Sequence, residues 1–468
     1  MHGISYNNLK RFAKTQQTFE EANKMYIDQE KQFSFTSGWF EVPQLDENDE
    51  LVKISKVIDW DSLTEKLAKF YHPSLGRHTK PARVKVGLMI LKHLYQLADR
   101  ETVKELKQNM YAQYLCDINP RDAHSFIDHS TLCYFRKDIG VEGVKIIEYE
   151  VFCVLKKLNL LKGKKSKRLV VDTTVVPSPI QYPTDINHLE KSRRQLLKLL
   201  DIAKSLGAKS YRTYKRVAKK AYLKYQKLRR VSKNIRRKTQ KKLLQFSQRN
   251  LKQLMDAICD IQHSQLDKIK EQFLKNAQSK TKIIEKILQQ QKEIYKGNSV
   301  KDRIVSLWAN HIRPMVRGKY PIEVEFGPKV LLSKISDFLF FNRLFFDNVS
   351  DVNLLSPSID DYKKKFKDVP SELATDRGFY SKENVAFANS VGIKNIAIEK
   401  KGKSSSSDKS PPFLKRLRRL RCAIEAKISL SKRKYGLNRI NYRIPNGEEI
   451  WIRMGLLTMN LKKAMDYG

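Results

Sequence analysis

Residues 202–255 carry 19 Lys or Arg and not one Asp or Glu. Such a stretch cannot fold by internal ion pairing, because no partner of opposite sign lies within it. Its order must come from apolar contacts. Leu and Ile recur there at spacings of three and four, with Tyr211, Tyr214, Tyr222 and Tyr225 interleaved. That is the period of an amphipathic helix, not of a disordered basic tail. The stretch therefore predicts helices with one apolar stripe and a wholly cationic opposite face, packed as a hairpin or coiled coil. Solvated helix faces ordinarily mix the two signs; a face of one sign predicts contact with phosphates. The surrounding segment, 187–300, holds 31 basic against 8 acidic residues. Its candidate phosphate contacts are Lys215, Arg216, Lys219, Lys220, Arg229, Arg230, Arg236 and Arg237.

The bias extends to the whole chain, whose net charge is +42 over 468 residues. A metabolic enzyme acting on small neutral substrates has no need of that charge; a polyanionic partner does, and nucleic acid is the first candidate. Apolar content of 41% suffices for globular folding, and the length predicts two or three domains. The five cysteines form no C-x-x-C pair. This argues against a zinc knuckle and a disulfide scaffold, and predicts reduced, mostly buried thiols. Residues 1–10 lack the apolar core of a signal peptide, and no window approaches the roughly 18 to 20 apolar residues of a membrane span. The reading is a soluble, cytoplasmic protein; in a bacterium its DNA would share that compartment.

Chemistry is suggested by three acids outside the basic segment. Asp172 ends the apolar run Leu169-Val170-Val171, and Asp376 ends the shorter run Glu372-Leu373-Ala374-Thr375. Glu425 lies between Arg421 and Lys432 at spacings of 4 and 7, close to one face of a helix. Three carboxylates from separate elements suit two Mg²⁺ (or Mn²⁺) ions about 3.5–4 Å apart, the arrangement that activates a water or 3′-hydroxyl against a phosphodiester. Asp172 would bridge both ions, with Asp376 and Glu425 completing one each. Arg421 and Lys432 would neutralise phosphates, and Arg377 could position a strand. Asp185 is a second-rank candidate for the site rim, and His129 reads as a capping or packing residue.

The remaining pattern supplies a frame for these acids. Phe33, Phe35, Trp39 and Phe40 suggest a small apolar anchor. Residues 80–138 read as short helices, compatible with a helix-turn-helix module, with Asp128 or Ser130 capping a helix that opens at Leu132 and carries Arg136 and Lys137 outward. Residues 168–176 read as a buried strand. Residues 322–346 read as two strands around a turn at Ser336-Asp337. Further strands are predicted at 371–376 and 394–398, and helices at 360–366, 381–390 and 413–431. Residues 400–412 read as a loop, and two late strands are predicted near 440–444 and 450–454. With the basic segment set aside, this order fits an α/β fold: a ribonuclease H-like mixed sheet with an N-terminal helical domain and a long basic helical insertion. The boundaries are 1–150 for the helical DNA-binding and dimerisation domain, 160–186 with 318–460 for the catalytic domain, and 187–317 for the insertion.

These residues resemble bacterial insertion-sequence transposases with a DDE triad, of the InsH-like, cut-and-paste type. The family motif Y-x2-R-x3-E-x6-K is matched by Arg421, Glu425 and Lys432; the tyrosine position is Arg418, which can hold a phosphate instead. VVDTTVVPSPIQYPTD resembles the segment around the first aspartate and ATDRGFYS the segment around the second. HPSLGRHTKPARVKVGLMILKHLY and DHSTLCYFRKDIG resemble the N-terminal helical domain. The resemblance implies a divalent metal, catalytic and metal-binding roles for Asp172, Asp376 and Glu425, and recognition of terminal inverted repeats. It also implies cleavage with strand transfer into target DNA, and a homodimer on paired ends. The competing readings are an inactive or repurposed transposase that only binds DNA, a same-fold nuclease without strand transfer, and an RNA-binding protein.

Overall fold

A computed structural model describes residues 35–36, 44–71, 79–180, 184–316, 324–400 and 412–467. In chain order the elements begin with α1 (Glu50–Val57), α2 (Trp60–Ala68), α3 (Ala82–Leu94), α4 (Asp99–Gln108), α5 (Met110–Cys116), α6 (Pro120–Ala123) and α7 (His129–Lys157). The strand β1 (Arg168–Val175) follows, then α8 (Asp185–Ser205), α9 (Lys215–Gln226), α10 (Lys233–Gln262) and α11 (Lys268–Lys296). Next come β2 (Pro314–Val316), β3 (Val324–Phe326), β4 (Lys329–Ile335), β5 (Phe338–Phe345), α12 (Leu355–Phe366) and β6 (Glu372–Thr375). The chain finishes with α13 (Lys382–Ser390), β7 (Asn395–Ala397), α14 (Pro412–Lys434) and α15 (Gly447–Met465). No described helix is long and apolar enough to cross a membrane.

Two compact units result. The first comprises Met1–Ser178, Lys329–Phe345 and Val349–Gly468. It contains a mixed five-stranded sheet of order β5-β4-β1-β6-β7. β4 is antiparallel to β1 and to β5, whereas β1, β6 and β7 run parallel. The β4–β5 turn is Ser336-Asp337, with Ser336 in the left-handed region at φ 53°. β1 lies mid-sheet, and Leu169, Val170 and Val171 are all buried, as expected for a strand covered on both faces. One apolar core joins the sheet to the N-terminal helices, with α15 packing on α3, α7 and β5. Asn460 of α15 bonds both backbone groups of Leu339 on the edge strand, accepting from its N–H at 3.0 Å and donating to its carbonyl at 2.8 Å.

Several expectations need correction. Residues 450–454 are helical, and 440–444 form no strand: α15 is buried nearly all round, so its apolar residues do not alternate visibly over five positions. The helix expected at Leu132 starts at His129 behind the Asp128 cap, and Gly140 breaks its geometry at φ 54° and ψ −155°. Arg136 does not point outward. It is 3% exposed, held by both oxygens of Asp99 at 3.0 and 2.6 Å and stacked on Tyr442 at 4.1 Å. Only Cys116 of the five thiols is buried; Cys259 and Cys422 are exposed. Phe35 is buried against Tyr114, while Phe33, Trp39, Phe40 and residues 401–411 of the loop expected at 400–412 lie outside the described residues, and Pro412 opens α14.

The second unit is Pro179–Pro328 with Phe346–Asn348. Its core is the apolar stripe of α8, α10 and α11: Leu196, Leu199, Leu243, Leu254, Ile284 and Ile287 are buried together. Asp185, at the start of α8, is 4% exposed and accepts from Arg236 at 2.9 Å, Arg303 at 2.6 Å and Gln291 at 3.2 Å. It is therefore a structural anchor of this unit and not an open rim carboxylate. The same contact occupies Arg236. Lys215, Arg216, Lys219, Lys220, Arg229, Arg230 and Arg237 are exposed, with Lys215 3.6 Å from Asp201 and Arg237 5.0 Å from the Tyr295 ring.

Candidate active site

The parallel strands β1, β6 and β7 deliver their carboxyl ends to one edge of the sheet, where open α/β sheets commonly bind ligands. Val171 pairs with Thr375, and Ala374 with Ala397. Continuing those ladders past their last pairs places Asp172 beside Asp376, and Asp376 beside Glu399. α14 packs across β1, β6 and β7 through Leu417, Ile424 and Ile428. Glu425 follows Ile424 directly and is exposed.

The electrostatics reflect this crowding. Burial, and then the charges of Asp376, Glu425 and Asp351, push the Asp172 carboxyl up to about 7, although its Oδ1 accepts from the Thr173 N–H at 2.7 Å. Asp351 is a fourth acid, in a 3-10 turn at Asp351–Leu354. Its Oδ1 accepts from Thr173 Oγ1 at 3.0 Å and pairs with Lys329 at 2.6 Å. A Cβ at position 378 would stand 2.8 Å from Asp351 Oδ2, so Gly378 leaves room for that carboxylate. As the side chains stand, no three His, Cys, Asp or Glu among the described residues close around a single point. What gathers here is a cluster of carboxylates, with Lys329 against Asp351 and Arg421 near Asp376, whose oxygen donors suit a divalent cation.

The cations of the site divide into separate tasks. Lys432 donates to the carbonyl of Val175 at 2.8 Å, tying α14 to the end of β1. Arg377 Nε is 3.4 Å from Glu399, and Arg418 donates to the other oxygen of the same carboxylate. Burial opposes ionisation of Glu399, yet Arg418 and Arg377 hold its carboxyl below the usual range. Arg421 lies 3.8 Å from Asp376 and 4.0 Å from Glu399, and its Nε is buried with no hydrogen-bond partner among the described residues. His129 contacts Asp128 at 3.0 Å and Arg100 at 3.3 Å, at the start of α7.

Glu399 and Asp351 were missed in the sequence. Glu399 had a signal: like Asp376, it follows a strand that runs parallel to its neighbour. Asp351 had none, since it stands in an irregular turn.

Two family models match the chain. Residues 42–138 match a "Transposase domain (DUF772)", and residues 339–461 match a "Transposase DDE domain". The chain belongs to the insertion-sequence DDE transposases. A related protein from Rhizobium meliloti, "Uncharacterized protein ORF8 in nfe locus", is 34% identical over 172 residues, 36% of this transposase and 81% of the relative. No solved structure matches the chain. The DDE match covers Asp351, Asp376, Glu399, Arg421, Glu425 and Lys432 of the transposase, while Asp172 lies between the two matched segments.

Proposed function

We propose that this transposase binds the terminal inverted repeats of its element, cleaves them in a metal-dependent reaction and joins the freed 3′ ends to target DNA. The observation that carries the reading is the alignment of Asp172 and Asp376 at the carboxyl ends of adjacent parallel strands, with Glu425 on the helix that crosses them. The strand order, with two antiparallel and two parallel pairings, supports a ribonuclease H-like catalytic core.

Asp172, Asp376 and Glu425 would hold magnesium or manganese ions. The fit is chemical: oxygen donors suit hard cations, and the Asp172 carboxyl is raised first by burial and then by the neighbouring charges of Asp376, Glu425 and Asp351. Metal held by these carboxylates would supply activation of the attacking oxygen and stabilisation of the leaving one. Arg421 lies beside Asp376 and can take a non-bridging oxygen of the DNA backbone. Lys432 fixes α14 against β1, keeping Glu425 over the strand ends. The exposed cations of α9 and α10 supply backbone contacts along the duplex. Both ends must be processed together, which calls for a homodimer on paired ends.

The test is Mg²⁺-dependent nicking of a duplex carrying the DNA that flanks the gene. Asp172→Asn should abolish nicking while end binding persists. Equal loss of both would defeat the assignment, and nicking without joining to a target plasmid would identify a nuclease instead.

A further inference from the structure

Three guanidinium groups converge near Glu399, but not equally. Arg377 and Arg418 engage opposite oxygens of its carboxylate, and both make hydrogen bonds to it. Arg421 stands outside hydrogen-bond reach of either neighbouring acid, at 3.8 Å from Asp376 and 4.0 Å from Glu399. Its buried Nε has no hydrogen-bond partner among the described residues. Leaving a buried guanidinium donor unmade is costly. One monovalent carboxylate cannot satisfy three guanidinia, so the cluster keeps both surplus charge and surplus donors on its Arg421 side. That side faces Asp376 and the row of acids.

We propose, on the reading that this site cleaves DNA, that Glu399 is a positioning residue for the reaction. It gathers Arg377 and Arg418 and so leaves the Arg421 fork, beside Asp376, to receive a phosphodiester. Glu399 is not a further metal ligand: its oxygens are taken up by guanidinium groups. It acts through the arginines. Without its charge, Arg377 and Arg418 lose their common anchor, and Asp376 becomes the nearest acid for all three. Guanidinia drawn onto Asp376 would compete with any cation there and misalign the phosphate. Misplacement of about 1 Å is enough to cost on the order of a hundredfold in rate. Overall attraction to DNA would persist, because the net charge rises by one.

The experiment compares wild type, Glu399→Gln and Glu399→Asp on the duplex from the gene's flanks. Single-turnover nicking is read with Mg²⁺, and the dissociation constant by fluorescence anisotropy with Ca²⁺. The Gln variant should nick ten- to a hundredfold more slowly with a dissociation constant within threefold of wild type. The Asp variant, which keeps the charge at shorter reach, should recover a substantial part of the lost rate. Wild-type nicking by the Gln variant would overturn the proposal. So would parallel losses of rate and affinity, or a rate loss that tracks a lowered melting temperature in both variants. Should the Gln variant fail to fold, the Asp variant decides alone, by a reduced rate at unchanged affinity. If wild type itself does not nick, the underlying function fails and not the role of Glu399.

Discussion

Asp172 carries opposing demands, since its burial penalises the charge that the proposed metal-binding role requires. Its carboxyl is pushed from 3.8 to about 7 in the folded protein. The folded state therefore holds a proton that the unfolded chain has released between those values. The contribution of this one group to stability is most favourable below about pH 4, where both states are protonated, and falls as pH rises towards 7. At ~1.4 kcal/mol per pH unit the limit of this loss is about 4 kcal/mol, less whatever the partly exposed carboxyl regains from water. Asp172→Asn should thus raise the melting temperature at pH 8 and change it little at pH 4, while nicking disappears. Magnesium should raise the melting temperature of wild type at pH 8 and leave the variant unmoved; differential scanning fluorimetry reads both. The acids at strand ends were visible in the sequence because an apolar run that stops at Asp is a local signal. Arg136 was not: what buries it is Asp99, 37 residues away, which no periodicity shows.

The elements were legible in proportion to how locally their burial is decided. β4 and β5 announced themselves by two apolar runs around Ser336-Asp337, and α13 by the Ser381 cap, whose hydroxyl accepts from the Asn384 N–H at 3.0 Å. α15 misled because a helix covered by α3, α7 and β5 needs apolar residues all round, and the short run from Ile450 to Met454 then looks like a strand. The same helix protects the edge of the sheet. Asn460 is 5% exposed and supplies β5 with the donor and acceptor that a further strand would have given. Asn460→Leu keeps the branched outline of the side chain but strands two buried backbone groups. The expected cost is about 2–4 kcal/mol, measured as a lower urea midpoint at constant slope, and it should exceed the effect of the same change at an exposed helical position.

At the scale of the whole molecule the surplus of positive charge is unevenly owned. Around the acids the cations are committed to named oxygens: Lys432 to Val175, Arg377 and Arg418 to Glu399, Lys329 to Asp351. On α9 and the turn after it, Lys219, Lys220, Arg229 and Arg230 are exposed and face no acid in ion-pair contact among the described residues. Like charges repel one another, so these residues add nothing to the stability of the free protein; on the proposed function they contribute by releasing counter-ions from DNA. This separates a DNA clamp from a merely soluble surface. Changing those four residues together to Gln should leave the melting temperature unchanged or slightly raised. The slope of log binding constant against log salt should become shallower by about 0.9 for each phosphate lost, hence by up to about 3.6 if all four touch the backbone. The affinity should fall alike for flanking DNA and for unrelated duplex, because phosphates carry no sequence. An unchanged slope would remove the basic helices from the DNA interface and leave their composition without a partner.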